Sequence, residues 1–376
     1  MKTDFIWKNH LNGNFLYLKS PLKDSLFAGI RMDEIRIAVA GIGNCCSSLL
    51  QGLYYYKKSD ALGLLNKNLG GYSPSDIKLV AAFDISKEKV GKDVSEAIYG
   101  APNNAPKIAD VPNQNITVQL GPAPDIYIKD AFSTIEIVEG SSVNVVEVLR
   151  NTKADILVNL ISGGNDKATL EYAKYALEGN CAYINATPTS VASESDWVKK
   201  FEKASLPIVG DDLLDQVGAT ILHIGLLEFL INRGVRVDES YQLDVGGGSE
   251  SINTLEKTRA MKRFIKTNAV TDHVPYEFPL VSGSTDFVDF LGNGRDSFFW
   301  IKGRYYGGTP FTMDVKLSSF DAPNSGAILL DVIRGVKIAK DKQIYGSIDA
   351  INAYGFKKAK RHSLAKAYQM FRDFTG

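Results

Sequence analysis

Positively charged side chains cluster in the stretch Tyr241 to Val270, YQLDVGGGSESINTLEKTRAMKRFIKTNAV, just after a strand-like run and three glycines. Lys262 and Lys266 are four residues apart, so they share one face if this stretch is helical. Two like charges at that spacing cost roughly 0.2–0.5 kcal/mol unless an anion lies between them. Such a pair suits a phosphorylated substrate on which a second negative oxygen develops during reaction. The alternative is a solvated basic face without chemistry.

A second candidate site begins at Gly41. The apolar run Ile35 to Ala40 ends in Gly41-Ile-Gly43, and an apolar helical pattern follows. A strand, a glycine turn and a helix in this order are typical of a dinucleotide-binding loop, where backbone N–H groups approach a pyrophosphate. The third glycine position of that loop holds a cysteine. The predicted cofactor-binding residues are Gly41, Gly43, Asn44, Cys45, Cys46 and Ser47.

An acid, Asp84, follows the next predicted strand, Lys78 to Phe83. An acid at the end of the second strand of such a fold holds the ribose hydroxyls of NAD and disfavours the extra phosphate of NADP. The alternative is a surface Asp that starts a helix. Small-residue turns after later predicted strands add Ser162, Gly163 and Thr187 on the same edge of the sheet.

Alternating strand and helix patterns predict the elements that position these residues. They indicate an α/β fold, a doubly wound Rossmann-type parallel sheet with helix patterns that include 141–149, 166–178 and 218–233. After residue 238, short strand-like runs predict a mostly antiparallel sheet that carries the lysine stretch. Asp321 opens a long helical pattern that we expect to return to the first sheet.

These patterns divide the chain into three parts. We predict an NAD-binding Rossmann-type domain at 34–238 plus 320–376, and an inserted α+β catalytic and oligomerisation domain at 239–319. Residues 1–33 are predicted to form an N-terminal arm, in which Tyr17 to Phe27 is either a short hairpin or part of the arm.

Composition excludes several classes of function. Lys plus Arg and Asp plus Glu both number 43, and a balanced charge argues against nucleic acid as the main partner. The longest apolar run is too short for a membrane span and contains His223 and Glu228. Three cysteines without C-x-x-C spacing and a start without a signal-peptide core predict a reducing cytoplasm. Four scattered histidines show no zinc-type ligand cluster, so we assign no metal ligands.

Seven motifs follow one another along most of the chain: GIGNCCSSL (41–49), VAAFDIS (80–86), PIVGDDLLDQVGAT (207–220), QLDVGGGSESIN (242–253), MKRFIKTNAV (261–270), DAPNSGAILLDVIRGVKIAKD (321–341) and NAYGFK (352–357). In type and order they resemble the myo-inositol-1-phosphate synthase family, in its shorter archaeal and actinobacterial form. A match across seven motifs is far more specific than any one of them.

The resemblance implies an NAD-dependent isomerase that converts D-glucose 6-phosphate to 1L-myo-inositol 1-phosphate, which is also named 1D-myo-inositol 3-phosphate. The reaction comprises internal oxidation, enolisation, intramolecular aldol closure and reduction by the same NADH. The resemblance also implies a homotetramer built through the sheet of the second domain. Some relatives of the short form use a divalent metal ion, so a divalent or monovalent cation is a candidate second cofactor.

Residue by residue, Lys262, Lys266 and Lys357 match three of the family's four active-site lysines. The fourth falls near Arg295, to which, together with Lys266, we assign the substrate phosphate, because a guanidinium keeps its charge but cannot exchange protons at neutral pH. Among the acids that match family positions, Asp321 is predicted to be catalytic, and Asp212 and Asp331 to bind the cofactor.

The chain also departs from the family pattern. Leu214-Asp215 stands where the family has Lys-Ser, and Asp244 and Glu250 stand at the ends of the family's Asn-x-Gly-Gly-Asn-x-Asp. The alternative is therefore a divergent member that acts on another sugar or cyclitol phosphate, including a plain NAD-dependent dehydrogenase that releases NADH. A third hypothesis is an NAD-sensing or assembly protein without turnover.

Overall fold

A computed structural model describes residues 34–58, 62–125, 135–248 and 259–376. The predicted arm, with its Tyr17 to Phe27 segment, lies outside the described residues. The described strands, in chain order, are β1 (Ile35–Ala40), β2 (Ile77–Asp84), β3 (Gln119–Leu120), β4 (Ile156–Asn159), β5 (Ala182–Asn185), β6 (Pro207–Gly210), β7 (Arg236–Gly246), β8 (Leu280–Phe287), β9 (Gly294–Arg304), β10 (Pro310–Phe320) and β11 (Gly346–Ser347).

The described α-helices alternate with the strands of the first sheet and then flank the second. They are α1 (Asn44–Lys58), α2 (Val94–Ala97), α3 (Val145–Asn151), α4 (Asp166–Glu178), α5 (Ser195–Lys203), α6 (Ala219–Asn232), α7 (Arg259–Thr271), α8 (Asp321–Asp341), α9 (Asp349–Gly355) and α10 (Leu364–Thr375). Helix α3 was predicted to start at residue 141. It starts four residues later because the Asn144 side chain accepts the Glu147 N–H at 3.2 Å and so caps the helix.

Seven strands form one parallel sheet in the order β11-β6-β5-β4-β1-β2-β3. Its central strands β4, β5 and β6 are buried on both faces, which explains their short continuous apolar runs. The order β6-β5-β4-β1-β2-β3 is that of a dinucleotide-binding α/β fold, in which ligands bind beyond the carboxyl ends of the strands. The predicted doubly wound parallel sheet is confirmed.

The second sheet has the order β10-β9-β7-β8. β9 pairs antiparallel with both of its neighbours, whereas β8 runs parallel to β7. Helix α7, which carries the two paired lysines, packs on β8, and helix α8 leaves the end of β10 and packs on α1 and the first sheet. The chain therefore returns to the first sheet through α8, as expected, while our division of the chain into domains stays a prediction.

Candidate active site

A cavity of about 270 Å³ lies beyond the carboxyl ends of the parallel strands. One part of it, the cofactor half, is lined by the glycine turn after β1 and by Asp84. The other part, the lysine half, is lined by charged side chains from distant segments of the chain. These charged residues come from five segments in all, and they are Asp212 and Asp215, Lys262 and Lys266, Arg295, Asp321 and Lys357.

The glycine turn meets the steric demands of a close backbone approach. Gly41 has φ +88°, and a Cβ on it would lie 2.8 Å from the backbone of Leu160 and Ile161, so a side chain is excluded there. A Cβ on Gly43 would meet no atom within 4 Å, so the turn is open on this side. Helix α1 starts at the next residue, Asn44, and its N-terminus faces the cavity. Backbone donors at a helix N-terminus suit a pyrophosphate.

Asp84, at the end of β2, is tied to that turn. Its Oδ2 accepts the Ile42 N–H at 2.7 Å, and its Oδ1 accepts the N–H groups of Ile85 and Ser86 at 2.7 and 2.9 Å. The buried Lys89 ammonium donates to the Ile42 carbonyl at 2.9 Å and lies 4.0 Å from Asp84 Oδ2. The acid therefore fixes the glycine turn while it faces the cavity.

The remaining predicted cofactor residues divide into two groups. Asn44, Cys45, Ser162, Gly163 and Thr187 line the cavity. Cys46 and Ser47 are buried in α1 and do not line it. Burial raises the pKa of the Cys46 thiol to about 12, so this thiol stays protonated, and Cys46 serves as a small packing residue under the turn.

Asp212 is the centre of the lysine half. Its Oδ1 lies 3.0 Å from Lys357 Nζ and 4.0 Å from Lys262 Nζ. Burial alone would raise the pKa of this carboxyl, but Lys262, Lys357 and Lys266 outweigh burial and lower the pKa to about 2. Its Oδ2 is buried and has no hydrogen-bond partner among the described residues. That oxygen can accept a hydrogen bond from a bound molecule.

Backbone hydrogen bonds bring Asp212 and Lys357 together. Asp212 has φ +60°, donates its N–H to the Thr187 carbonyl at 2.8 Å and accepts the Lys357 N–H at 2.7 Å. The Leu214 N–H binds the Gly355 carbonyl at 2.7 Å. The turn after β6 and the end of α9 are therefore joined side by side, and both charged side chains project from this junction.

Two further ion pairs complete the lysine half. Lys266 Nζ donates to Asp244 Oδ2 at 2.7 Å. The Arg295 guanidinium binds both carboxylate oxygens of Asp321 at 2.6 to 2.9 Å. Four cations thus meet in one half of the cavity, each with an acid beside it. The predicted residues Lys262, Lys266, Lys357, Arg295, Asp212 and Asp321 lie together there.

Asp331 lies elsewhere. It is buried in α8, where it accepts hydrogen bonds from Tyr354 Oη at 2.7 Å and Asn66 Nδ2 at 3.3 Å and pairs with Arg334. It does not line the cavity. These contacts tie α8 to α9 and to the segment after α1, which is a structural role for Asp331.

Some site residues were not predicted. Asp244, which holds Lys266, was noted only as a departure from the family pattern, and Lys89 was not singled out. The signal for Asp244 is a run of polar residues at every second position of β7, Ser240, Gln242 and Asp244, which places all three on one face. Polar residues on the buried face of a strand must be hydrogen-bonded.

Of the three glycines at the end of β7 and directly after it, Gly247 serves packing. A Cβ on Gly247 would lie 2.6 to 2.7 Å from the backbone of Gly292 and Val288, so Gly247 permits close contact with the turn before β9. Of the residues that depart from the family pattern, Leu214 is buried, whereas Asp215 lines the cavity.

Within the described ranges, no group of three or more His, Cys, Asp or Glu could hold a metal ion. No helix in those ranges is long and apolar enough to cross a membrane.

Comparison with known proteins identifies the family of the chain. Residues 218–322 match the family model described as myo-inositol-1-phosphate synthase. The chain is 41% identical over 333 residues to inositol-3-phosphate synthase of Mycolicibacterium smegmatis, covering 85% of this chain and 92% of that protein. It is 40% identical over 334 residues to the enzyme of that name from Corynebacterium glutamicum, with coverage of 85% and 92%.

A solved structure shares the whole architecture. The crystal structure of Ari2 superposes with a TM-score of 0.74 at 31% sequence identity, covering 91% of this chain and 99% of that one. An identity of about 40% over nine tenths of a relative's length exceeds what a shared fold alone produces. Together with the ordered motifs, these matches show that the chain belongs to the myo-inositol-1-phosphate synthase family.

Proposed function

We propose that the protein is an NAD-dependent inositol-3-phosphate synthase, which converts D-glucose 6-phosphate to 1L-myo-inositol 1-phosphate, also named 1D-myo-inositol 3-phosphate. One observation carries the proposal. A single cavity joins the glycine turn and Asp84 to four cations, Lys262, Lys266, Arg295 and Lys357. A sugar phosphate in the lysine half would lie next to a dinucleotide in the cofactor half.

The residues of the cofactor half fit NAD. Gly41 and Gly43 leave the turn open, the N-terminus of α1 supplies backbone donors for the pyrophosphate, and Asp84 is an acceptor for ribose hydroxyls. NAD supplies a hydride acceptor and later a hydride donor, so the substrate is oxidised and then reduced with no net redox change. Ser162, Gly163 and Thr187 line the passage towards the lysine half.

The lysine half supplies charge where the substrate needs it. Enolisation and aldol closure each place negative charge on an oxygen that was neutral before, and fixed ammonium groups stabilise such oxygens. Lys262 and Lys357 are the candidates, because Asp212 holds both in place. An ammonium can also donate a proton to the oxygen that it stabilises. Asp212 Oδ2, buried and without a partner among the described residues, can accept a substrate hydroxyl.

Arg295 and Lys266 are assigned to the substrate phosphate. Each keeps a positive charge beside an acid, Asp321 and Asp244 respectively. A guanidinium presents several donors in a plane, which suits a phosphate. Asp321, the first residue of α8, binds Arg295 in this half and is the candidate to orient the substrate through that contact.

The same proposal includes a homotetramer built through the second sheet. Four apolar side chains on one face of β7, β8 and β9 are between about a third and two fifths exposed: Tyr241, Leu243, Val281 and Phe298. On the same face, Tyr241 stacks on Trp300 with ring centroids 5.5 Å apart. A contiguous apolar sheet face of this kind suits a contact with a second copy of the chain. Size-exclusion chromatography with light scattering measures the assembly.

A second candidate is a divergent member that oxidises a sugar or cyclitol phosphate and releases NADH. The observation in its favour is the changed pair Leu214 and Asp215, one buried and one lining the cavity. This pair replaces a cation with an apolar side chain and adds a carboxylate beside the substrate space.

One experiment distinguishes these functions. Purified protein is incubated with glucose 6-phosphate and NAD while absorbance at 340 nm and the phosphorylated products are followed. The synthase produces an inositol monophosphate without net NADH. Stoichiometric NADH without a cyclised product contradicts the proposal and identifies a dehydrogenase. Tight NAD binding without either product, on this and on other hexose phosphates, identifies a binding protein.

A further inference from the structure

A chain of buried polar side chains runs behind Lys266. Gln242 Nε2 lies 3.0 Å from both oxygens of Asp244, and Gln242 Oε1 lies 3.3 Å from His223 Nδ1. His223 Nε2 lies 2.8 Å from Ser240 Oγ. Gln242, Asp244 and His223 are fully buried, and Ser240 is nearly so. The last member of the chain, Asp244, binds Lys266.

The hydrogen bonds in this chain have one direction. A carboxylate only accepts, so Gln242 must present its NH₂ group to Asp244 and its carbonyl oxygen to His223. His223 then donates from Nδ1, and Nε2 of a neutral ring accepts from the Ser240 hydroxyl, which shares its one proton with the Trp300 carbonyl 2.9 Å away. Burial lowers the pKa of His223 to about 4, so the ring is neutral near pH 7, which fits this pattern.

We infer that Asp244 is a positioning residue for the proposed reaction: it fixes the Lys266 ammonium in the cavity, and Gln242 and His223 fix the Asp244 carboxylate. The inference rests on the proposed function for the role of Lys266 in turnover. The arrangement of the four side chains can be tested without turnover.

The charges around Asp244 support this role. Burial would raise the pKa of this carboxyl, but Lys266 and Arg295 outweigh burial and lower it. The carboxylate is therefore an anion shared between two groups that face the substrate phosphate in our proposal. Moving Asp244 would displace the charge of Lys266 and change the field at Arg295.

The chain also specifies an acid at position 244. Gln242 approaches both oxygens of this side chain as a donor and Lys266 approaches one of them, so an acceptor is needed at both positions. An Asn here offers one acceptor oxygen and one donor group, so one of the two contacts becomes donor against donor. The departure from the family's Asn is therefore matched by the side chains around it.

Asp244→Asn tests the inference with nearly unchanged shape. The matched control is Asp238→Asn, on the same strand, whose carboxylate pairs with Arg304 at the surface. Each protein is treated with a trace amount of a lysine-specific reductive methylation reagent, and the rate at each lysine is read by peptide mass spectrometry. Release from its ion pair should make Lys266 react several-fold faster in Asp244→Asn, with Lys262 and Lys357 unchanged. An unchanged rate at Lys266 overturns the inference.

Gln242→Met is the second variant, needed in case Asp244→Asn does not fold. It removes one donor to Asp244 and leaves the ion pair itself. Lys266 should then react faster than in the wild type, whereas the Asp238→Asn control should match the wild type. Equal rates in all three proteins show that the buried chain has no influence on Lys266.

A double-mutant cycle tests whether Asp244 acts through Lys266. Asp244→Asn should lower kcat on glucose 6-phosphate by about 10²-fold, the cost of a misplaced group that positions the substrate. Lys266→Met combined with Asp244→Asn should be no slower than Lys266→Met alone. Additive losses overturn the inference. If the wild type does not turn over glucose 6-phosphate, the proposed function fails, while the labelling result still decides whether Asp244 positions Lys266.

Discussion

Lys357 Nζ lies 3.0 Å from Asp212 Oδ1, although 145 residues separate the two in the chain. Lys262 approaches the same oxygen from α7 at 4.0 Å. One carboxylate thus holds two ammonium groups from distant segments at one end of the cavity. Because its pKa is about 2, Asp212 stays ionised at neutral pH and keeps both cations in place.

The first prediction follows from this cluster. Lys262→Ala and Lys357→Ala should each lower kcat by roughly 10²–10³, since losing one fixed donor to a developing oxyanion has that effect. NAD should still bind, because neither lysine belongs to the glycine turn. Single-turnover assays on glucose 6-phosphate and NAD titrations measure the two quantities. Lys366→Ala, exposed in the basic C-terminal segment, is the control. Near-wild-type rates in both site variants would show that these lysines form only a solvated face.

The second prediction concerns Asp84. Asp84→Ala should weaken NAD binding by about 1.5–3 kcal/mol, the value of hydrogen bonds to a charged group. Part of this loss in binding arises because Asp84 also accepts the Ile42 N–H and so holds the glycine turn in place. Isothermal titration with NAD and NADP measures the change and the preference between the two. Glu88→Ala, an exposed acid four residues later, is the control. A wild type that prefers NADP contradicts the role given to Asp84.

Local sequence signals predicted most of the first sheet and the position of the cofactor half. Both predictions came from short-range patterns, which can be recognised in a single sequence. These patterns are the run Ile35 to Ala40 before Gly41 and the acid after Lys78 to Phe83. The Leu280–Phe287 strand was not predicted, because Gly283 and two serines interrupt its apolar alternation. It forms because β7 lies beside it and pairs with it along most of its length, and such a non-local contact leaves no local signal.

The lysine half could be predicted only as a set of candidates. Helical spacing supplied Lys262 and Lys266 and the resemblance added Lys357, but the partners of these lysines depend on how distant segments meet. Asp244 reaches Lys266 only because α7 packs beside the second sheet. Asp331 matched a family motif equally well but faces Tyr354 and Arg334 on the other side of its helix. A motif identifies a residue, and packing decides which way its side chain points.

The third prediction concerns Arg295, whose fork binds both oxygens of Asp321. Arg295→Lys keeps the charge but loses part of the fork, so KM for glucose 6-phosphate should rise about 10-fold while kcat changes only a few-fold. Steady-state kinetics at saturating NAD measure both constants. Arg304→Lys, on the same strand and likewise forked to an acid, is the control and should change neither. Lost turnover at unchanged KM would contradict the phosphate role.

The fourth prediction concerns pH and His223. The unfolded chain binds a proton at this residue below about pH 6.5, whereas burial keeps the folded ring neutral down to about pH 4. Below pH 6.5 the unfolded state therefore binds more protons, and the free energy of unfolding must fall as pH falls. The loss should reach about 3 kcal/mol at pH 4.

Urea unfolding between pH 7 and pH 4 measures this loss for the wild type and for His223→Gln, which removes the titrating ring. The variant should be less stable than the wild type at pH 7, since it disturbs the contacts to Gln242 and Ser240. It should also lose less stability on acidification. His362→Gln, in the loop before α10, removes a histidine without touching this network and should follow the wild type. Equal pH dependence in His223→Gln and the wild type would show that folding does not lower the pKa of His223, against the effect expected from the burial of its ring.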